Sequence, residues 1–434
     1  MSTATYNDSS LETLEQYISK QREPVWLTDV RIAALKKFQT LEWPSRQDEE
    51  FRRTDVSSYG FESWAFESVP GPVAEVENPV GISGTLTLDG TRTLRRSLAA
   101  GLADKGVILA SFEEVAAGAL PDTVARQVAS TLMKSVDNAD NKLSLWHYVT
   151  MTHGAVLYVP EFLELSDPFV ITFDDGADKV LRSPQVVVTG DRGARFSVLH
   201  RTRSGEEGEL LLNEGIDIDV GDSGKVEYFL MQTINLDSTA ISNGLGTVGR
   251  DATLHMYSAV FGGLLSKYRF DAEMIGEGGD AYLGGVYFPH EDQHIDLRTE
   301  QRHLGKKAHS LTLYKGAVIC EAHSVYQGLI RVDHDALNTD AYLTNNNLLL
   351  GTEAQADSIP TLQINTDEVR CSHGSTTGKL DKRHIYYLES RGYSPEEARH
   401  LLIQGFFEEV LTHYPEIAQD ELHQIVEARI CECE

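Results

Sequence analysis

The sequence predicts a mostly β chain, in which a strand-rich middle lies between a mixed, largely helical N-terminal domain and a helical C-terminal domain. The first observation is a series of short runs rich in β-branched and aromatic residues, such as 155–159, 169–173 and 185–189. The second is that turns rich in Gly and Asp separate these runs, for example at 174–176 and 221–224. The third is that helical periodicity is confined to the two ends of the chain.

The N-terminal domain is predicted over residues 1–145. Apolar residues recur with a helical period over 8–42, where Pro44 then interrupts the pattern, and again over 110–135. Residues 60–100 instead mix short β-type runs with turns. We therefore expect helices and short strands in one mixed domain.

The middle of the chain, residues 146–370, is predicted to be a single strand-rich core. Its short strands follow one another at regular spacing, without helices between them. Such a pattern is typical of a β-sandwich and equally of a solenoid of strands. Periodicity alone does not choose between these two architectures.

The C-terminal domain, residues 371–434, is predicted to be helical. Asp381 can cap the N-terminus of a first helix, and Gly392 suits the left-handed position after its end. Ser394-Pro-Glu-Glu397 is a capping box with Pro at the first helical position, so a second helix begins there. A third helix is expected over 416–428.

The second of these helices carries an apolar stripe. The stripe consists of Ala398, Leu401, Leu402, Phe406 and Val410. A stripe with helical spacing usually packs into a core, but a short helical domain can also present part of it to a partner. Both interpretations stay open at this point.

Composition limits the classes of function. The chain of 434 residues has 66 acidic against 38 basic side chains, a formal net charge of −28, which argues against a nucleic-acid-binding surface. The first residues carry no basic and apolar leader, and no apolar run approaches the roughly 20 residues that span a bilayer. We expect a cytoplasmic protein that works with protein partners.

Four cysteines are too few for a disulfide framework in a chain of this length, which favours a reducing compartment. Cys431 and Cys433 are separated by one residue at the end of the chain. That spacing allows metal binding, but a lone terminal pair is more often incidental.

Two groups of residues are candidates for chemistry. Cys371 and His373 stand two apart, so on a strand they share one face and supply half of a metal site, or else a buried thiol and a hydrogen-bonded imidazole. His294 and Asp296 have the same spacing, which suits a hydrolytic metal site or a hydrogen-bonded polar turn. The chain has no Gly-x-x-x-x-Gly-Lys-Ser/Thr loop, so we do not expect it to hydrolyse nucleotides.

Longer blocks carry a family resemblance. They are Gly285-Val-Tyr-Phe-Pro-His-Glu-Asp-Gln-His-Ile-Asp-Leu-Arg-Thr299, Leu313-Tyr-Lys-Gly316, Cys371-Ser-His-Gly374 and, near the N-terminus, Pro44-Ser-Arg-Gln-Asp-Glu-Glu-Phe-Arg-Arg-Thr54. In kind and order these blocks resemble those of the SufB/SufD family, scaffold subunits of the sulfur-mobilising iron–sulfur cluster assembly machine. The resemblance covers at least residues 284–411, and the N-terminal block extends it over nearly the whole chain.

Within the family the chain looks more like the SufD branch. SufB-type chains carry a cluster-linked cysteine in the block that corresponds to 343–347, where this sequence has none. They also tend to have Glu where Gly374 stands.

The resemblance implies a right-handed parallel β-helix core and a non-catalytic scaffold subunit. It implies a SufB-like paralogue as heterodimer partner, a SufC-like ATPase as second partner, and a homodimer as an alternative state of the isolated chain. A nascent iron–sulfur cluster would be shared transiently with the paralogue through His373, with Cys371 as a weaker candidate ligand. The ATPase would dock on the C-terminal helices, through Leu401, Leu402 and Phe406.

Two other functions remain open on the residues alone. Strand solenoids often carry polysaccharide-cleaving sites, and Asp292, Asp296, Arg298 and His294 could serve there as acid, base and charge stabiliser. The second alternative is a homodimeric iron or iron–sulfur carrier that works without partners.

Overall fold

The computed structural model describes residues 5–6, 8, 10–67, 73–88, 94–176 and 179–431. Its helices are α1 (Leu11–Lys20), α2 (Val25–Thr40), α3 (Phe112–Ala116), α4 (Asp122–Asn138), α5 (Lys142–Thr150), α6 (Lys382–Glu389), α7 (Pro395–Leu411) and α8 (Glu416–Cys431). Its first strands are β1 (Thr5–Tyr6), β2 (Phe66–Glu67), β3 (Val73–Glu75), β4 (Gly84–Leu88), β5 (Leu94–Leu98), β6 (Ile108–Ser111), β7 (His153–Val159), β8 (Phe169–Asp175), β9 (Val180–Arg182) and β10 (Pro184–Gly190).

The remaining strands are β11 (Arg195–Ser204), β12 (Leu210–Val220), β13 (Lys225–Thr233), β14 (Thr239–Val248), β15 (Thr253–Val260), β16 (Leu265–Met274), β17 (Asp280–Tyr287), β18 (His294–His303), β19 (His309–Val318), β20 (His323–Val332), β21 (Thr339–Leu349), β22 (Gln355–Ile364) and β23 (Val369–Gly378). Helices therefore lie at both ends of a long series of strands, as predicted.

The core is a parallel β-solenoid, which decides between the two architectures that the sequence left open. Successive strands alternate between two sheets. Sheet A runs β9-β12-β14-β16-β18-β20-β22, and sheet B runs β8-β11-β13-β15-β17-β19-β21-β23. Neighbours within each sheet are parallel: Lys225 pairs with Thr253, which pairs with Asp280 and then with His309, one turn further at each step. A sandwich of antiparallel hairpins does not give this register.

Tyrosines and glycines interlock between the neighbouring strands β17 and β19 of sheet B. Tyr314 pairs with Gly285 and Tyr287 pairs with Gly316, and each ring lies over the glycine of its partner. A Cβ added at Gly285 would lie 2.2 Å from Cε1 of Tyr314, and one at Gly316 would lie 2.1 Å from Cε2 of Tyr287. The hydroxyl of Tyr287 donates to Asn347 at 2.6 Å, so the buried polar atom is satisfied. Packing therefore explains the glycines and tyrosines of the blocks at 285–299 and 313–316.

The N-terminal helices cover the outer face of sheet A. Apolar residues of α2, α4 and α5 form one buried cluster with Val187, Leu211 and Ile241 of that sheet. Beneath them the carboxyl of Asp217 accepts from Ser135 and Tyr148 at 2.5 and 3.2 Å. Burial raises the pKa of this carboxyl to about 7 although its hydrogen bonds act in the opposite direction.

The C-terminal helices α7 and α8 pack on the outer face of sheet B. Ile403, Phe407 and Val410 of α7 are buried in one cluster with Phe229 and Tyr257 of the sheet. The capping box predicted at Ser394 is present, and so is the N-cap at Asp381. The third helix is three residues longer than predicted.

The thiols are in different environments. Cys320 is disulfide-bonded, and Cys371 is a free thiol. The question of a metal at Cys431 and Cys433 lies outside the described side chains. None of the helices in the described part of the chain combines the length and the apolar character of a transmembrane helix.

Candidate functional site

The last turn of the solenoid is open. Within the described part of the chain, β22 pairs only with β20, and β23 pairs only with β21. Each of these two strands has ten residues, and the side chains of both are half-buried or exposed. Each strand therefore presents a row of backbone N–H and C=O groups to the outside.

His373 lies in this last turn, on β23. It pairs with Leu343, and Cys371 pairs with Ala341, while both partners are buried between the two sheets. Because alternate residues of a strand share a face, Cys371 and His373 lie on the inward side of β23. The prediction that they share one face is confirmed.

The two side chains differ in access. Cys371 packs partly against the core, and burial raises the pKa of its thiol, with the carboxylate of Asp340 acting in the same direction. His373 is exposed and has no hydrogen-bond partner within the described residues. Its imidazole is therefore accessible to a metal ion, whereas the thiol of Cys371 is disfavoured as a thiolate ligand.

A side-chain hydrogen bond links the two strands of the turn that holds His373. The hydroxyl of Ser375 donates to that of Ser358 at 2.8 Å, which joins β23 to β22 across the end of the core. Among the described residues, no group of three His, Cys, Asp or Glu side chains is arranged to hold a metal ion. The open turn thus offers one exposed imidazole rather than a complete metal site.

The second candidate cluster is not an open site. His294 and Asp296 share a face of β18, as predicted, but this is the outer face of sheet A and residues 47–54 cover it. The Thr54 hydroxyl donates to Asp296 at 2.5 Å and lies 2.9 Å from Nε2 of His294. Lys267 donates to the same carboxylate at 3.0 Å. We name residues 47–54 the docking segment.

Burial governs the chemistry of this cluster. Asp296 is fully buried, and burial lowers the pKa of His294 to about 4, so the imidazole is neutral at neutral pH. Arg298 binds Glu50 of the docking segment at 2.8 Å, while Asp292 is exposed in the preceding turn. The four residues of the polysaccharide hypothesis therefore do not line one groove. The interpretation as a hydrogen-bonded polar turn fits better, since residues 291–292 form a turn and His294 and Asp296, at the start of the strand that follows, are hydrogen-bonded to the docking segment.

The apolar stripe of α7 divides between two faces. Ala398 is buried and Val410 is buried against sheet B, whereas Leu401 is exposed and Leu402 is half-buried. Phe406 is half-buried beneath Lys315, whose ammonium lies 4.9 Å from the ring centroid.

The helix before α7 adds to the exposed side. None of the eight residues of α6 is buried, and Tyr386, Tyr387 and the following Tyr393 are exposed. The pair α6–α7 therefore presents aromatic and aliphatic groups to solvent, which is typical of a protein-binding surface.

Sequence reasoning did not find Glu50, Lys267 or Arg269 as members of the cluster around Asp296. Glu50 is more than two hundred positions from Lys267 and Arg269, and the register of β16 and β18 places these two basic residues beside Asp296 and Arg298. The available signal was the pair of basic residues at alternate positions of β16, Lys267 and Arg269, which share one face of the strand. In the structure Lys267 pairs with Asp296 and Arg269 pairs with Arg298.

Comparison with known proteins places these features in a family. The family model described as SUF system FeS cluster assembly, SufBD core domain, matches residues 172–406, more than half of the chain. The iron-sulfur cluster assembly protein SufD of Bacillus subtilis is 25% identical over 96% of this chain and 97% of its own length. SufD of Escherichia coli is 30% identical over 55% of this chain and 56% of its own length. A SufBD family protein of Pyrococcus horikoshii is 22% identical over 96% of this chain and 95% of its own length.

Proposed function

The chain belongs to the SufB/SufD family of iron–sulfur cluster assembly proteins and is SufD-like, and we propose on this basis that it is a non-catalytic scaffold subunit. It pairs with a SufB-like paralogue, binds a SufC-like ATPase and helps to build and transfer nascent clusters. The observation that carries this proposal is the position of His373, an exposed imidazole on a strand with an unpaired edge at the open end of the solenoid.

The unpaired edges of β22 and β23 support a paralogue as partner. Two edge strands of ten residues each expose backbone groups that strand addition would satisfy. A second solenoid of the same fold has two such edges at the same spacing, about 10 Å between stacked sheets, so that both sheets can continue across the contact. Partner strands would bring their side chains to the mouth of the core, where His373 lies.

The nascent cluster is the cargo of this contact rather than a resident cofactor. His373 supplies one neutral nitrogen ligand, whereas an iron–sulfur cluster normally has four protein ligands, mostly thiolates. The paralogue would therefore contribute the cysteine and carboxylate ligands. Cys371 is the weaker candidate because its thiol packs against the core and its pKa is raised.

The exposed side of α6 and α7 supports the ATPase as second partner. Leu401 and Leu402 lie on the side of α7 that faces away from sheet B, next to the exposed tyrosines of α6. Phe406 belongs to this surface only at its margin, because Lys315 covers part of its ring. The apolar groups provide the area that a partner would bury.

The test is anaerobic co-expression of the chain with a SufB-like and a SufC-like protein, followed by light scattering of the purified material. We expect a hetero-complex that contains all three chains. A monomer or homodimer that retains neither partner would refute the scaffold function, and a homodimer that holds iron by itself would favour the carrier.

The role of His373 is tested within that complex. His373→Ala should leave the subunit composition unchanged but abolish cluster formation, measured by iron and sulfide content and by visible absorption after anaerobic reconstitution. His334→Ala, which removes another exposed imidazole, is the matched control. An unchanged cluster yield in His373→Ala would remove this residue from the proposal.

The exposed side of α6 and α7, as the binding surface for the ATPase, is tested separately. Leu401→Asp should reduce the amount of ATPase retained on the complex by tenfold or more, since it places a charge in an apolar contact. Thr412→Asp, at the exposed end of α7, is the control. Equal retention of the ATPase by both variants would place its binding site elsewhere.

A further inference from the structure

The docking segment crosses four consecutive strands of sheet A. Glu50 contacts Lys267 and Arg269 of β16 and Arg298 of β18, and its backbone oxygen accepts from Gln327 of β20 at 2.8 Å. Arg53 lies 3.5 Å from Asp357 of β22, the strand with the unpaired edge. A single short segment therefore ties the last turns of the solenoid together from outside.

The docking segment supplies part of the charge balance on this face of sheet A, next to Asp140 and Asp271, which also bind Arg269. Arg269 and Arg298 are directly opposite each other on neighbouring parallel strands, an arrangement of like charges that destabilises a sheet. Glu50 lies between them, 3.5 Å from Nη1 of Arg269 and 2.8 Å from Nη1 of Arg298. The side chain of Glu50 is only 10% exposed, so its carboxylate and these cations depend on one another.

Two further contacts fix the position of the segment. Phe51 is buried, and the ammonium of Lys267 lies 4.5 Å from the centroid of its ring. Thr54 donates to the fully buried carboxylate of Asp296. Burial alone would raise the pKa of Glu50, but Lys267, Arg269 and Arg298 outweigh it and hold the pKa below its ordinary value.

The last turns of the solenoid have few other contacts that hold them in place. In a solenoid each turn contacts only its neighbours, so the terminal turn has one neighbour fewer and opens most easily. The side chains of β22 are half-buried or exposed, which leaves little apolar contact to hold the strand. The segment reaches β22 through Arg53, and Asp357 also accepts from His323 of β20 at 3.0 Å.

We propose that the docking segment is a strap that holds β18, β20 and β22 in register and thereby keeps the unpaired edge of β22 ordered for strand addition by a partner. The consequence for partner binding rests on the proposed function, whereas the order of β22 in the isolated chain does not. The two parts can therefore fail separately.

Hydrogen–deuterium exchange of the isolated full chain tests the first part. Glu50→Gln keeps the shape of the side chain but removes the carboxylate that Arg298 binds, while Lys267 keeps Asp296 and Arg269 keeps Asp140 and Asp271. We expect amides in β20 and β22 to exchange at least about tenfold faster, while those in β13, far from the segment, keep the rate of the unchanged chain. Glu49→Gln, an exposed neighbour, is the matched control and should leave all rates unchanged.

Arg53→Gln keeps the proposal testable if Glu50→Gln does not fold. The side chain of Arg53 is 35% exposed and its ion pair is with Asp357 of the terminal strand, so its variant should fold and should accelerate exchange in β22. Unchanged exchange in β22 in the folded variants, or equal acceleration in β13 and β22, would overturn the strap.

Affinity for the SufB-like paralogue tests the second part. We expect the dissociation constant of Glu50→Gln to rise, by up to the factor by which exchange of β22 rises, because a strand that must first be ordered binds more weakly. Faster exchange with unchanged affinity would keep the strap and remove β22 from the partner contact. Faster exchange together with no binding by the unchanged chain would refute the proposed function alone.

Discussion

Replacing Lys315 with Met should weaken the contact of helix α7 with sheet B without unfolding the solenoid. The side chain of Lys315 is 8% exposed, and its ammonium donates to the backbone oxygen of Phe406 at 2.8 Å and to Glu409 at 2.5 Å. Met retains most of the buried aliphatic stem and removes only the charge. The change therefore isolates the polar contacts from the packing.

The size of the effect follows from the exposure of the two acceptors. A hydrogen bond from a charged donor contributes about 1.5–3 kcal/mol, and the bond to the Phe406 oxygen lies in the buried half of the contact. The side chain of Glu409 is 62% exposed, so water replaces the lost ion pair and this part contributes at most about 1 kcal/mol. We expect a total loss of about 2 kcal/mol in the local stability of α7.

The assay is hydrogen–deuterium exchange of peptides within 395–411, together with urea unfolding of the whole chain. Exchange in α7 should rise by roughly thirtyfold, which corresponds to about 2 kcal/mol. Lys379→Met, at an exposed position, is the control. If α7 in Lys315→Met were as protected as in this control, the ammonium would not be what holds the helix and the reasoning would be refuted.

Two other predictions concern the core. Gly316→Ala should cost about 1–3 kcal/mol in urea unfolding because its Cβ would overlap the ring of Tyr287, whereas Gly378→Ala, with no atom within 4 Å of the added Cβ, should cost much less. Equal costs would contradict the interlocking of β17 and β19. The pKa of Asp217 is raised by burial to about 7, so its contribution to stability is fully present below its unfolded pKa of about 4 and is lost as the pH rises through 7. The stability of the unchanged chain relative to Asp217→Asn should therefore fall by on the order of 3 kcal/mol between pH 5 and pH 8, and a constant difference in urea titrations would refute burial as the cause.

Local signals in the sequence were sufficient for individual elements. The capping box at Ser394 and the N-cap at Asp381 depend on residues within one turn of each other, and both are present. The shared face of Cys371 and His373 likewise follows from the alternation of side chains along a strand. These features need no knowledge of the rest of the chain.

The division of α7 into two faces was only partly predictable. The stripe from Ala398 to Val410 predicted an amphipathic helix, but Ile403 and Phe407 rather than Leu401 face sheet B. Periodicity identifies apolar positions, whereas the angle at which a helix meets a sheet decides which of them are buried.

By itself the sequence determined the order of the helices and strands, their caps, the pair at Cys371 and His373, and a resemblance to one family. Only the tertiary structure decided that the strands form two parallel sheets and that His373 lies on the last strand, at the open end of the core. It also decided that Glu50 contacts Lys267, Arg269 and Arg298. The physical reason is distance along the chain. Caps and alternation act over a few residues, but strand register and the docking of residues 47–54 join positions that have no local signal in common.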